Sequence, residues 1–79
     1  MTDIFVGKKE TFVYVLRALS ELEENDKVVI KARGRMISKA VDIAELTKRQ
    51  KKGLQEDIKI YSEKIDGRNV SIIEIELRK

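Results

Sequence analysis

The fold of this chain is predicted most clearly by one segment, Lys27-Val-Val-Ile-Lys-Ala-Arg-Gly-Arg-Met-Ile-Ser-Lys-Ala-Val-Asp42. Its first half contains three successive apolar residues, which are typical of a central strand covered on both faces. A helical pattern begins at Met36, and Gly34 supplies the conformational freedom that a sharp strand-to-helix turn needs. We therefore predict a strand over residues 27–33 and a helix over residues 36–51.

The same segment concentrates positive charge around its glycine. The first turn of a helix leaves backbone N–H groups without helical partners, and the helix dipole favours an anion there. Arginines beside the glycine suit phosphate, because a guanidinium donates two parallel hydrogen bonds to it. A solvated turn in a basic protein is the alternative interpretation. We predict a phosphate-binding turn that includes Lys31, Arg33, Gly34, Arg35 and Lys39.

Length and composition restrict the class of protein. The chain has 79 residues, which suffice for a single domain spanning residues 1–79. It contains neither cysteine nor histidine, so we expect no disulfide, no metal site and no cofactor. Association between chains is then the remaining way to reinforce a thin core. With no signal peptide or membrane-length apolar run in the sequence, we expect a soluble, intracellular protein that does not enter membranes.

Charge is unevenly distributed along the chain. The net charge is only +3, but residues 21–26 contain four acidic side chains, whereas residues 27–41 and 47–52 are basic. This separation predicts a face that binds a polyanion. Cations at the end of the second helix are also favoured by the helix dipole, so residues 47–52 have a structural explanation of their own.

The first third of the chain predicts a strand followed by a helix. Residues 3–6 form a short strand ended by Gly7, and residues 10–23 repeat apolar side chains at spacings of three and four. Tyr14 lies opposite the apolar side, where we expect a surface tyrosine or one that stacks on a base or ribose. With the strand at 27–33 this makes a parallel βαβ unit. The predicted core stripe consists of Phe12, Val15, Leu16, Leu19 and Leu22.

The second helix also has one apolar side. Leu46 lies away from that side, where an apolar residue can contact a partner chain. The predicted core stripe consists of Ile37, Ala40, Val41 and Ala44, widened by Ile43 and Thr47.

The last third of the chain predicts a β-hairpin. Asp66-Gly67 is a preferred two-residue hairpin turn, and placing it at the tip pairs Ile65 with Arg68. In this register one face carries Ile58, Ile60, Ile73 and Ile75, which we expect to cover the helices. The other face still carries apolar residues that a small domain cannot easily bury, so we favour self-association over a wider core under a loop. The predicted dimer contacts are Ile43, Leu46, Tyr61, Val70 and Ile72.

The combined elements restrict both architecture and chemistry. Their order, β-α-β-α-β-β, predicts an α/β two-layer sandwich with both helices on one side of the sheet. No nucleophile–base pair can be recognised from residue spacing, and histidine and cysteine do not occur in the sequence. We therefore expect a binding protein and no enzymatic activity.

Several motifs, in order along nearly the whole chain, resemble the Alba family of archaeal chromatin proteins. They are Gly7-Lys8-Lys9, Tyr14-Val15-Leu16, Val29–Arg35, Ile37–Asp42 and Val70–Ile75. The resemblance implies the fold of the C-terminal domain of translation initiation factor three, assembled as a homodimer or as a heterodimer with a paralogue. It implies a cytoplasmic, chromosome-bound (nucleoid) protein that coats double-stranded DNA, and often binds RNA, with little sequence preference. The alternative is an RNA-binding protein or a subunit of a ribonucleoprotein particle.

The resemblance also implies where nucleic acid binds. In the family a lysine pair near the N-terminus, here Lys8 and Lys9, meets the nucleic-acid backbone and is a site of acetylation. An acetyltransferase and a deacetylase are therefore implied partners. The turn arginines lie on the same face of the family's proteins. The hairpins of the dimer reach along the minor groove, and their tips correspond here to Lys64, Asp66, Gly67, Arg68 and Asn69.

Two features depart from the family pattern. Many members carry a phenylalanine near the end of the second helix that joins neighbouring dimers, whereas this chain has Lys51 at the aligned position. The hairpin is several residues shorter than in the better-known members, which implies a shorter reach into a groove.

Overall fold

The computed structural model describes residues 3–79, and its elements follow the predicted order β-α-β-α-β-β. Each predicted bound of the first four elements lies within one residue of the observed bound. A short 3₁₀ turn, Gly34–Met36, leads into the second helix. In the described part of the chain, neither helix has the length and apolar character needed to cross a membrane. The elements are β1 (Asp3–Phe5), α1 (Thr11–Glu24), β2 (Lys27–Arg33), α2 (Ile37–Gln50), β3 (Gln55–Ile65) and β4 (Arg68–Arg78).

The strands form one mixed sheet in the order β1-β2-β4-β3. β1 pairs parallel to β2, as the predicted βαβ unit requires, and the other neighbours are antiparallel. The backbone N–H of Val6 donates to the carbonyl of Lys31 (2.9 Å), so the pairing of β1 continues to the end of the predicted strand.

Only one face of the sheet is covered, which corrects the expectation for β2. Val28, Ile30 and Ala32 are buried, whereas Val29 and Lys31 between them are half-buried. Both helices pack on the same side, so the opposite face stays open to solvent. That open face carries ion pairs between neighbouring strands beside the exposed aromatic residues Phe5 and Tyr61.

The buried side of α1 differs from the predicted stripe. Val15 and Leu22 are buried as predicted, but Phe12 and Leu16 are 55% and 53% exposed. Ala18 is buried instead. A stripe chosen from large apolar residues misses alanine and tyrosine and is therefore rotated away from the true core face. The buried residues of α1 are Tyr14, Val15, Ala18 and Leu22, with Leu19 packed against the core.

The difference between Leu22 and Leu16 can be measured. We expect Leu22→Ala to lower the free energy of unfolding by about 2–5 kcal/mol, because it leaves a cavity in the core. Leu16→Ala removes the same atoms from a half-exposed position and should cost below about 1 kcal/mol. Denaturant titration of both variants gives the comparison, and equal losses would contradict the observed orientation of α1.

The core face of α2 agrees with the prediction at five of six positions, since Ile37 is partly buried against the core, and differs at one. Ala40, Ala44, Ile43 and Thr47 are buried. The Thr47 hydroxyl donates to the Ile43 carbonyl (2.7 Å), so this buried polar group is satisfied within its own helix. Val41 is 41% exposed, because it lies on the side of α2 that no other helix covers.

β3 and β4 form the predicted hairpin in the predicted register, with Ile65 paired to Arg68. Asp66 and Gly67 have φ values of +51° and +77°, as a two-residue turn of this kind requires. Each strand has 11 residues and therefore spans about 36 Å. The hairpin accordingly sets the longest dimension of the molecule, which measures 39 × 23 × 20 Å.

The expectation that Ile58 and Ile60 cover the helices is wrong. They are 50% and 67% exposed, although their cross-strand partners Ile75 and Ile73 are buried. β3 is an edge strand, and the helices lie over β1, β2 and β4. The sheet therefore extends one strand beyond its helical cover and leaves these isoleucines on an apolar flank.

Candidate functional site

Positive side chains from separate loops meet at one end of the sheet. Because β1 and β2 run parallel, the residues that follow both strands emerge at the same end. Lys8 and Lys9 follow β1, and Arg33 and Arg35 lie where β2 passes into the 3₁₀ turn. All four side chains are exposed. We call this set, Lys8, Lys9, Arg33 and Arg35, the basic edge.

The tip of the hairpin projects beyond the basic edge. Arg33 is paired with Ile72, and Arg68 lies four residues further along β4. At about 3.3 Å per residue, the tip extends about 13 Å past the end of β2. This places Arg68 and Asn69, both exposed, on the same end of the molecule as the basic edge.

The turn before α2 has the backbone geometry expected of its glycine. Gly34 has a φ of +57°, a left-handed conformation that side chains with a Cβ adopt with strain. Met36, the residue before α2, makes no capping hydrogen bond with its side chain. Within residues 3–79 no ion pair involves the basic edge or Arg68, so none of these charges is tied to an acidic side chain by direct contact. The arrangement is suited to an extended anion that crosses this end of the sheet.

Lys31 belongs to the open sheet face and not to the basic edge. Its ammonium lies 3.2 Å from the carboxylate of Asp3 and 5.6 Å from the centre of the Phe5 ring. These contacts balance its charge within the chain, so the structure separates Lys31 from the other predicted phosphate contacts.

Lys39 is directed toward the chain itself. Its ammonium donates to the backbone carbonyls of Gly7 (2.9 Å) and Lys9. It also lies 5.5 Å from the centre of the Tyr14 ring. Lys39 thus joins the first turn of α2 to the loop after β1. Its ammonium is engaged by two backbone carbonyls and one aromatic ring of the chain itself.

Tyr14 occupies neither of the two positions considered from the sequence. Its side chain is only 4% exposed, so it is not a surface tyrosine and cannot stack on a base. Its hydroxyl accepts hydrogen bonds from the backbone N–H groups of Gly7 (2.8 Å) and Lys9 (3.4 Å). Helical periodicity placed this residue on the polar side, because periodicity carries no information about a loop that folds back over the helix.

The open face of the sheet carries a groove of about 550 Å³. The Tyr61 hydroxyl donates to a carboxylate oxygen of Glu74 (2.5 Å) beside it, and this hydrogen bond raises the pKa of Tyr61. Two carboxylates face two cations across the groove, so its charge does not favour a polyanion. The lining residues include Phe5, Lys31, Arg33, Tyr61, Glu63, Ile72 and Glu74.

One of the five predicted dimer contacts is corrected, because Ile43 is fully buried in the chain's own core. Leu46 packs against that core but is only half-buried. Tyr61 is 41% exposed on the open face of the sheet, and Val70 and Ile72 are half-buried.

Another apolar surface lies beside α2 and was not predicted as a contact. Lys48 of α2 forms an ion pair with Glu56 of β3 (2.9 Å), which places this side of the helix along β3. Val41 lies seven residues before Lys48 on that side, about 10 Å along the helix. Ile60 lies four residues after Glu56, about 13 Å along the strand. We call the exposed set Val41, Ile58 and Ile60 the apolar flank.

The chain is similar to known proteins over nearly its whole length. A family model described as Alba matches residues 2–63. DNA/RNA-binding protein Alba from Thermoplasma acidophilum is 46% identical over 83 residues, covering 96% of this chain and 93% of that protein. DNA/RNA-binding protein Alba 1 from Archaeoglobus fulgidus is 46% identical over 85 residues, with the same shares covered. The solved structure of Alba from Thermoplasma volcanium superimposes with a TM-score of 0.77 at 40% identity, covering 98% of this chain and 99% of that one.

Proposed function

This chain belongs to the Alba family, and from that premise we propose that it is a nucleic-acid-binding chromatin protein that coats double-stranded DNA. The observation that carries the proposal is the basic edge, where four exposed cations lie at the ends of two parallel strands and form no ion pair within residues 3–79. The relatives are named DNA/RNA-binding proteins, which agrees with a cationic surface that binds phosphate.

The proposed contact is made with phosphates and not with base edges. Arg35 and the backbone N–H groups at the start of α2 hold phosphate, whereas Lys8 and Lys9 act as mobile point charges. Arg68 and Asn69, at the projecting tip, enter the minor groove, where donor and acceptor patterns distinguish sequences poorly. Binding of this kind has little sequence preference and depends strongly on salt.

The proposed assembly is a homodimer formed through the apolar flank. Ile60 and Ile58 are half or more exposed on an edge strand, and Val41 is exposed on the side of α2 that carries Lys48, the ion-pair partner of Glu56 in that strand. An apolar surface of this kind at a sheet edge is suited to an identical surface of a second copy. The dimer brings two basic edges and two hairpin tips to one nucleic acid. Tyr61, Val70 and Ile72 on the open face are the alternative contact.

Acetylation is proposed to weaken binding through the basic edge. Lys8 and Lys9 are exposed, so a modifying enzyme can reach them. Acetylation removes the positive charge of a lysine and therefore one electrostatic contact with phosphate. A chromosome-bound, nucleoid location follows from the proposed function, as do an acetyltransferase and a deacetylase as partners.

RNA binding is the second candidate function, because the names of the relatives include RNA. A protein that contacts only phosphates binds duplex DNA and structured RNA with similar affinity. A subunit of a ribonucleoprotein particle prefers RNA, through A-form shape and the 2′-hydroxyl groups. The two functions therefore differ in selectivity at constant salt.

A competition experiment tests the proposal. Labelled duplex DNA is titrated with the protein in the presence of structured RNA of equal length, at several salt concentrations. We expect similar affinities for both polymers and a log–log salt slope of about −5, as for six neutralised phosphates. A slope near zero would contradict the phosphate contact. RNA binding tighter by tenfold or more, about 1.4 kcal/mol, would support the ribonucleoprotein function instead.

A further inference from the structure

The loop that carries Lys8 and Lys9 is held from two sides, by the buried Tyr14 and by the half-buried Lys39. Tyr14 holds the backbone N–H groups of this loop, and Lys39 holds its carbonyls. Loops of positive charge on a protein surface are ordinarily mobile, and mobility must be lost when they bind. A loop fixed beforehand avoids part of that loss.

The tyrosine contact requires a close approach of backbone and hydroxyl. The Tyr14 oxygen lies 2.8 Å from the nitrogen of Gly7, and a Cβ on Gly7 would lie 3.3 Å from that oxygen. Glycine therefore leaves the space that the hydrogen bond needs. The hydroxyl is nearly buried and carries no charge, so any effect on binding must act through the loop.

The lysine contact joins the two halves of the basic edge. Lys39 lies in the first turn of α2, directly after the turn that carries Arg33 and Arg35. Its ammonium reaches the carbonyls of Gly7 and Lys9 on either side of Lys8. One side chain thus fixes the position of the lysine loop relative to the arginine turn.

We infer that Tyr14 and Lys39 are positioning residues, which hold the lysine loop in its binding conformation and in register with the arginine turn. The inference rests on the proposed function, because it is tested through the affinity for DNA. It also changes the role of Lys39, which was predicted from the sequence to contact phosphate. Its positive charge serves the loop carbonyls and the Tyr14 ring instead.

Tyr14→Phe tests the hydroxyl without changing charge or, in essence, volume. We expect the affinity for duplex DNA to fall by about fivefold, because the hydrogen bond that orders the loop is lost. A fivefold change corresponds to the net free energy of one ordinary hydrogen bond. The salt slope should stay unchanged, because no phosphate contact is lost. Amide hydrogen exchange at Gly7 and Lys9 should accelerate by about fivefold or more, while exchange in the sheet stays slow.

Thr47→Val is the matched control. It removes another buried hydroxyl, which bonds only within α2, and it keeps the shape of the side chain. We expect it to lower stability to a similar extent and to leave DNA affinity unchanged. Equal loss of affinity in both variants would overturn the positioning role of Tyr14, because general destabilisation would then explain the result.

Lys39→Met separates positioning from phosphate contact at the second residue. A positioning lysine predicts weaker binding, by about fivefold or more, with an unchanged salt slope and faster exchange at Lys9. If Lys39 contacts phosphate directly, the salt slope should become shallower by about 0.9 for each lost phosphate contact, and amide hydrogen exchange at Lys9 should not change. That result would overturn the inference. If the wild-type chain binds neither DNA nor RNA, the proposed function is wrong. If the wild type binds and Tyr14→Phe binds equally well, only the positioning role is wrong.

Discussion

Replacing the whole basic edge, Lys8, Lys9, Arg33 and Arg35, by alanine is expected to weaken DNA binding a few thousandfold at 0.1 M salt. Each phosphate contact contributes about 0.9 to the log–log slope. If each basic edge of the dimer supplies two of the six phosphate contacts, four are lost and a slope of about −5 moves to about −1.5. The four side chains are exposed and form no ion pairs within residues 3–79, so the fold should persist. Fluorescence anisotropy across a salt series gives the slope, and far-ultraviolet circular dichroism checks the fold.

A charge-matched control distinguishes the position of the charge from its amount. Lys79 lies near the opposite end of the sheet, where its backbone N–H donates to the carbonyl of Asp26 (2.9 Å). We expect a control variant with four charges removed outside the basic edge to keep most of its affinity and its slope. An equal loss would mean that net charge, and not the basic edge, determines binding. The control substitutions are Arg17→Ala, Arg49→Ala, Lys52→Ala and Lys79→Ala.

Ile60→Glu is expected to convert the homodimer into a monomer and, as a result, to weaken DNA binding by about a hundredfold. Each interface would contain two unpaired carboxylates, one from each copy, in an apolar contact. The monomer also loses the effective concentration that links two binding surfaces. Sedimentation velocity at micromolar protein measures the mass, and anisotropy measures affinity for the same DNA duplex.

Two further variants locate the interface. Leu16→Glu places the same charge on an apolar residue of α1 that is 53% exposed, and we expect it to remain dimeric. Ile72→Glu places it on the open face of the sheet. Dissociation by Ile72→Glu and not by Ile60→Glu would move the contact to the open face. A wild-type chain that sediments as a monomer would contradict the homodimer altogether.

The pairing and register of the hairpin could be predicted because they depend on local patterns. Asp66 and Gly67 define one turn, and a single turn of known length determines every pair from Ile65 with Arg68 onward. The start of α2 followed in the same way from Gly34, which separates two different periodicities. These features require only neighbouring residues and not knowledge of the packed domain.

The buried faces could not be predicted as well, because they depend on how many elements cover the sheet. Two helices cover three strands, so Ile60 lies outside the core although its pattern is that of a core residue. The face of α1 was predicted wrongly because Ala18 is small and Tyr14 bonds to a distant loop. Hydrophobic periodicity measures neither effect.

The sequence was sufficient to predict which positive residues the candidate site contains, but not how they are arranged or what they contact. The sequence indicates a basic segment, and parallel pairing of β1 and β2 brings Lys8 and Arg35 to one end. The separate roles of Lys31 and Lys39 were not predictable, because they follow from contacts with Asp3 and with the Gly7 carbonyl. A count of positive residues treats all of these side chains as equivalent.

The long dimension of the molecule has a consequence for how densely it can cover DNA. If the basic edge at the end of the strands contacts the duplex as proposed, the 39 Å dimension points away from the DNA and the 23 × 20 Å cross-section faces it. At 3.4 Å per base pair, each protomer occupies about six to seven base pairs. On a saturated duplex the protein layer would therefore be thick relative to the spacing between protomers along the DNA. Neighbouring molecules would lie side by side over their whole length.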